Sequence, residues 1–179
     1  MLPFLQDGGF KSRKMTFTTK IISHSDVSKE TLVEIAEIKS VRWKYSLELQ
    51  LNWVNKNLKS NDYHLLIYAN DIVIAYANFV VVEAFVNENS IQFMGIGNVC
   101  TLESGKGYGD ILMKSINETI ITQNWKGVLL CKDYLISYYE KYDWILVEAY
   151  KITPQTRENI LIFNFENKIS KLELSNYKF

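Results

Sequence analysis

Apolar and polar residues along the chain change period several times, and those changes mark out its elements. Thr16 to Ser23 alternates and is rich in β-branched residues, which predicts a strand. From Ser28 the period lengthens to that of a helix, with Leu32, Ile35, Ala36 and Ile38 on one side. Leu47, Leu51, Val54 and Leu58 then recur at steps of four, three and four, predicting a second helix whose outer face carries Glu48, Asn52, Asn55 and Lys59. Tyr63 to Ala69, Ile72 to Val86 and Ser90 to Thr101 read as three strands, separated by Asn70-Asp71 and by Asn87-Glu88-Asn89. A helix is expected over about Gly107 to Gln123, with Ile111, Leu112, Ile116 and Ile120 on one face. After it come a short buried strand at Gly127 to Cys131, a short helix at Asp133 to Tyr142, and strands at Trp144 to Tyr150 and Asn159 to Phe165. The tail from Glu166 to Phe179 has no pattern that places it. Strands and helices in this order predict an α+β (mixed α/β) fold, a sheet with helices on both faces.

Three glycines at alternate positions, Gly105, Gly107 and Gly109, stand between a strand and a helix. Such a loop leaves bare N–H groups at a helix N-terminus, where they lack intrahelical partners and the macrodipole is positive. Anions bind there. Gly95 and Gly97 interrupt the strand just upstream, and glycine within a strand marks a bulge or a close approach of another backbone or a ligand.

Composition narrows the setting. At 179 residues with 47% apolar content, one domain over residues 15–179 is expected, with residues 1–14 an extension outside the core. Lys plus Arg and Asp plus Glu both total 20, so charge gives no reason to expect a nucleic-acid or membrane partner, and no apolar run has membrane-spanning length. Cys100 and Cys131 lie in apolar runs and are expected to be reduced and buried, as in the cytoplasm.

Two segments carry a family likeness. Val99-Cys100-Thr101-Leu102-Glu103-Ser104-Gly105-Lys106-Gly107-Tyr108-Gly109 resembles the acetyl-coenzyme A signature of the GNAT superfamily of N-acetyltransferases, V-x-P-x-x-[QR]-G-x-G-x-[GA]. Leu135 to Trp144 is similar to that family's downstream segment, A-x-x-F-Y-E-K-L-G-F. Thr101, Ser104, Lys132 and Asp143 depart from the usual Pro, Gln or Arg, Asn and Gly. The resemblance implies a central, mostly antiparallel sheet of about seven strands, acetyl-CoA as co-substrate, and no metal.

It further implies that main-chain N–H groups of Gly105, Lys106, Gly107, Tyr108, Gly109 and Asp110 hold the cofactor's pyrophosphate, while Gly97, Asn98, Val99 and Thr101 pair with its pantetheine arm. Lys106 and Lys114 either add positive charge or are solvated surface lysines. Tyr139 is the implied acid for the departing thiolate; the alternative is that Tyr138 and Tyr139 only pack. The base is open, because Gly97 stands where many relatives carry glutamate, and Glu83 and Glu103 are substitutes by location alone. Cys131 lies close to the expected acyl site but has no histidine beside it in sequence to generate a thiolate. His24 and His64 read as structural.

The implied activity is transfer of acetyl to a primary amine of a small molecule or peptide, with a non-catalytic acetyl-CoA-binding sensor as the alternative. The acceptor is expected near the first two helices, where Trp43, Tyr45 and Trp53 form either core or substrate wall and Glu48 is a partner for an ammonium. A homodimer is left open.

Overall fold

A computed structural model describes residues 16–175, so the extension expected over residues 1–14 lies outside the described residues. The elements are β1 (Phe17–Ser23), α1 (Lys29–Arg42), α2 (Leu47–Asn57), β2 (Tyr63–Ala69), β3 (Ile72–Val86), β4 (Asn89–Thr101), α3 (Tyr108–Thr122), β5 (Gly127–Cys131), α4 (Ile136–Glu140), β6 (Ile145–Val147), β7 (Ile152–Thr153), β8 (Asn159–Phe163) and β9 (Leu172–Leu174). Seven strands run β1-β2-β3-β4-β5-β8-β6 across one sheet, while β9 pairs with both β3 and β7. Neighbours on the seven-strand path are antiparallel except β4 and β5. The mixed α/β architecture is the one expected. No helix of the described residues is long and apolar enough to cross a membrane.

Strand alternation decides which core each residue joins. Leu65, Ile67, Ala75, Ala77 and Phe79 point to the face covered by α3 and α4, where Leu112, Met113, Ile116 and Ile120 meet them. Their neighbours Leu66, Tyr68, Tyr76 and Val80 point the other way, onto Ile35, Ile38, Val54 and Leu58 of α1 and α2. A fully buried Leu or Ile of this kind contributes about 1.5–3 kcal/mol, so both faces are firmly held. Ser28 and Ser46 cap α1 and α2, their hydroxyls accepting from the N–H groups of Thr31 and Leu49 at 3.1 and 3.3 Å.

Three expectations need correction. The helix expected at Asp133 to Tyr142 is a 3-10 turn followed by the five-residue α4, and the strand expected at Trp144 to Tyr150 is only the three-residue β6. The Leu47 stripe sinks only at its C-terminal end: Val54 and Leu58 are buried, but Leu47 is 42% exposed. The unplaced tail has a role, since Phe165, Ile169, Leu172 and Leu174 close a separate core over Val82, Val128, Ile160 and Ile162.

Candidate functional site

The site forms where the parallel pair separates. β4 and β5 are in register only at Met94, Gly95 and Ile96, opposite Gly127, Val128 and Leu129. Beyond that point both strands continue without pairing to each other, and a 340 Å³ cleft opens between Gly97, Asn98 and Val99 on one side and Leu130 and Cys131 on the other. A β-bulge bends β4 here. Tyr76 opposes Cys100 and Asn78 opposes Gly97, so Asn98 and Val99 together face one residue of β3. Asn98 takes a left-handed φ of 52°, as asparagine tolerates, and its Nδ2 donates to Asn78 Oδ1 at 2.5 Å. This is the bulge that the upstream glycines suggest. Thr101 is not at the cleft; its hydroxyl donates to Glu103 O.

The glycine loop follows. Gly105 and Gly107 have φ of 75° and 76°, and an added Cβ at either would meet nothing within 4 Å. Backbone conformation, not crowding by the protein, is therefore what demands glycine. Gly109 is a different case, because a Cβ there would come within 2.8 Å of the Tyr138 hydroxyl. Gly107 caps α3 with no side-chain hydrogen bond. Among the described residues, the N–H groups of Gly105, Lys106, Gly107, Tyr108 and Gly109 donate to no acceptor. Asp110, expected to join them, does not: its N–H is engaged by Gly107 O at 3.1 Å, and its carboxylate accepts from the Tyr142 hydroxyl. Lys106 sits at the surface, 3.9 Å from Glu103.

The downstream segment is held against this loop by α3. Asn117 Nδ2 donates to Tyr142 O at 2.7 Å, and Trp144 Nε1 donates to Asn117 Oδ1 at 2.9 Å. Trp144 stacks on Phe163 and fills the space above Gly127, where a Cβ would be 2.7 Å from its ring. Asp143 has a φ of 63°, so the position that resembles a glycine of the family motif keeps the conformation glycine favours.

Tyr139 is buried yet lines the cleft, and among the described residues its hydroxyl makes no hydrogen bond. Burial above all, with Tyr138 and Cys131 adding to it, holds its pKa well above the ordinary phenol range. At rest near neutral pH it carries its proton. Cys131 lies in the cleft wall, pushed up to about 11 by burial and by Glu158 and Asp133, and remains a thiol. Glu83 and Glu103 are not at the cleft; Glu83 accepts from Gln92 on the neighbouring strand. The carboxylate that does line it is Glu158, just before β8, which the sequence did not signal. His64 is structural as expected: buried, bonded to His24 at 2.9 Å and to the Tyr76 hydroxyl at 2.8 Å, with burial taking its pKa down to about 3.

A second cavity of 450 Å³ adjoins the cleft, sharing Trp43 and Asn98 with it. Trp53, Tyr45 and Leu49 supply its apolar wall, Gln50 and Lys39 its other polar groups. Glu48 is exposed and does not line it, so the sequence-expected partner for an ammonium is not there.

No family model and no curated protein matches the sequence. Solved structures do match the fold. An acyl-CoA N-acyltransferase from Pseudomonas aeruginosa is 14% identical, with 81% of this chain and 97% of that one covered at a TM-score of 0.58. A GNAT family acetyltransferase from Brucella melitensis, solved with acetyl-CoA, is 16% identical over 89% and 96% of the two chains, with a TM-score of 0.57. The Bacillus subtilis N-acetyltransferase YlbP, solved with coenzyme A, is 17% identical over 82% and 96%, at 0.53. The fold is that of the GNAT N-acetyltransferases.

Proposed function

We propose that the chain is an N-acetyltransferase that moves an acetyl group from acetyl-CoA to a primary amine by direct attack within a ternary complex. The observation that carries this reading is the row of N–H groups from Gly105 to Gly109, all without acceptors, at the positive end of the 15-residue α3 and next to the opened β4–β5 cleft. Acetyl-CoA is the co-substrate that fits: a pyrophosphate takes up these donors, and the unpaired edge of Gly97, Asn98 and Val99 offers main-chain partners to an amide-bearing arm. Asp110 contributes helix geometry instead of a donor.

The chemistry left to the side chains is modest. The neutral amine attacks the thioester carbonyl carbon, the carbon–sulfur bond breaks, the thiolate takes a proton from Tyr139, and the amine's surplus proton passes through water to restore the Tyr139 phenol. Tyr139 keeps that proton at neutral pH because burial disfavours the phenolate. Transfer to a thiolate of pKa about 8.5 is uphill for such a phenol, so its contribution rests on placement at the leaving sulfur. Calorimetric titration with acetyl-CoA tests the binding half, and release of free thiol with a panel of amines tests the transfer half. Binding without thiol release from any amine would leave a cofactor-binding sensor in place of the enzyme.

A further inference from the structure

The 450 Å³ cavity beside the cleft has a chemical bias of its own. Trp43, Tyr45 and Trp53 give it a flat apolar wall, and no carboxylate lines it. Lys39 does, although it is only 1% exposed. Its Nζ has no hydrogen-bond acceptor and rests 3.8 Å from the centre of the Trp53 ring. The buried Asn78 Nδ2, on the residue that the cavity-lining Asn98 bonds, also lacks an acceptor. A buried ammonium with three unused donors is a costly arrangement, and an aromatic face replaces only part of the water it has lost. Helix position explains how it arises: Leu32, Ile35, Ala36 and Lys39 follow the spacing of a single α1 face, which turns the lysine inward.

We infer that this cavity receives the body of the acceptor, and that the acceptor is an aromatic amine bearing a carboxylate, whose oxygens take up the free donors of Lys39. The inference rests on the acetyltransferase reading only for what then happens to the amine. A simple ammonium would be repelled by Lys39, whereas a molecule that carries its own anion is attracted. The same cation lowers the pKa of the acceptor's ammonium and so favours the neutral, nucleophilic form. Because Nζ has no accessible surface, engagement requires the Lys39 or Trp53 side chain to rotate, which places a fluorescent ring at the point of change.

Titration of Lys39 supplies a second signature. Burial brings its pKa down to about 8, while Cys100 opposes this. Of the other groups around it, His64 on β2 is taken down to about 3, Cys100 on β4 is pushed up to about 12, and Tyr76 on β3 is held well above its usual range. Trp53 and Gln50 on α2 do not titrate, and Arg42 on its own helix is a fixed cation. Carboxylate binding therefore weakens as pH rises past about 8, when Lys39 loses its proton.

The test is a tryptophan-fluorescence titration with two probes: 3-phenylpropionate, which has ring and carboxylate but no amine, and phenethylamine, which has ring and amine but no carboxylate. Expected is binding of 3-phenylpropionate at neutral pH that weakens at least about tenfold near pH 9.5 and at least about tenfold in Lys39→Met, with phenethylamine binding about tenfold more weakly than 3-phenylpropionate to the wild type. Equal affinity for the two probes, or affinity independent of pH and of Lys39, overturns the proposal. A melting curve checks that Lys39→Met folds, and if it does not, the two-probe and pH comparisons on the wild-type chain still decide. No cofactor or turnover enters these measurements, so failure of acetyl transfer would show separately, in the acetyl-CoA titration and thiol release.

Discussion

The two sides of the cleft are built by opposite means. On the α3 side, the available groups are main-chain N–H groups whose direction is set by two glycines at φ near 75°, and their chemistry does not depend on which side chains surround them. On the α1–α2 side, the working groups are side chains, Lys39, Trp43, Trp53 and Asn98, brought together from two helices and a bulged strand. The first construction tolerates departures such as Ser104 from the family pattern. The second can be retuned one residue at a time, which suits a scaffold that keeps one co-substrate and changes its acceptor.

This contrast can be broken at four points. The largest effect belongs to Tyr139, between the two sides: Tyr139→Phe should lower kcat by about a hundredfold or more and leave the Kd for acetyl-CoA within about twofold, measured by thiol release and calorimetry. Lys39→Met removes a desolvated charge and should raise stability at neutral pH by roughly 1–3 kcal/mol in chemical denaturation. The sign follows from its pKa, about 8 when folded against 10.5 for an ordinary lysine: between those values the unfolded chain binds the extra proton, so native stability rises with pH and the variant's advantage shrinks. Gly107→Ala forces a side chain into the left-handed region at a cost of about 1–2 kcal/mol, and should weaken acetyl-CoA about tenfold with little change in binding of 3-phenylpropionate. Asp143→Gly should have the smallest effect, a gain of about 0.5–1 kcal/mol from relief of a left-handed aspartate at φ 63°, read as a higher melting temperature.

The same contrast governs how much the sequence discloses. Long apolar runs bounded by turn residues, Tyr63–Ala69 and Ile72–Val86, are visible because local pattern and tertiary burial agree. The glycine loop is visible because a backbone requirement appears directly as residue type. Lys39 is hard to find in the sequence because a lysine defaults to solvent, although its spacing from Leu32, Ile35 and Ala36 places it on their face of α1. Leu47 misled in the other direction: its period is helical, but the N-terminal half of α2 borders a cavity and has no core to bury it. Glu158 reaches the cleft through β8 pairing with β5, information that exists only in the register of distant strands. Three-residue strands such as β6 and β9 are too short to carry a period at all.

The tail strand also bears on mechanics. β9 pairs with Ala84–Val86 of β3, and its Leu172 and Leu174 share a core with Val128, Ile160 and Ile162 of β5 and β8, so the tail strand ties the two halves of the sheet together. Among the described residues, main-chain pairing between β4 and β5 is confined to Met94–Ile96 and Gly127–Leu129, just before the cleft opens. The sheet is thus a wedge with a fixed apex. Opening between β4 and β5 is therefore resisted by residues 165–174, although none of them lines the cleft.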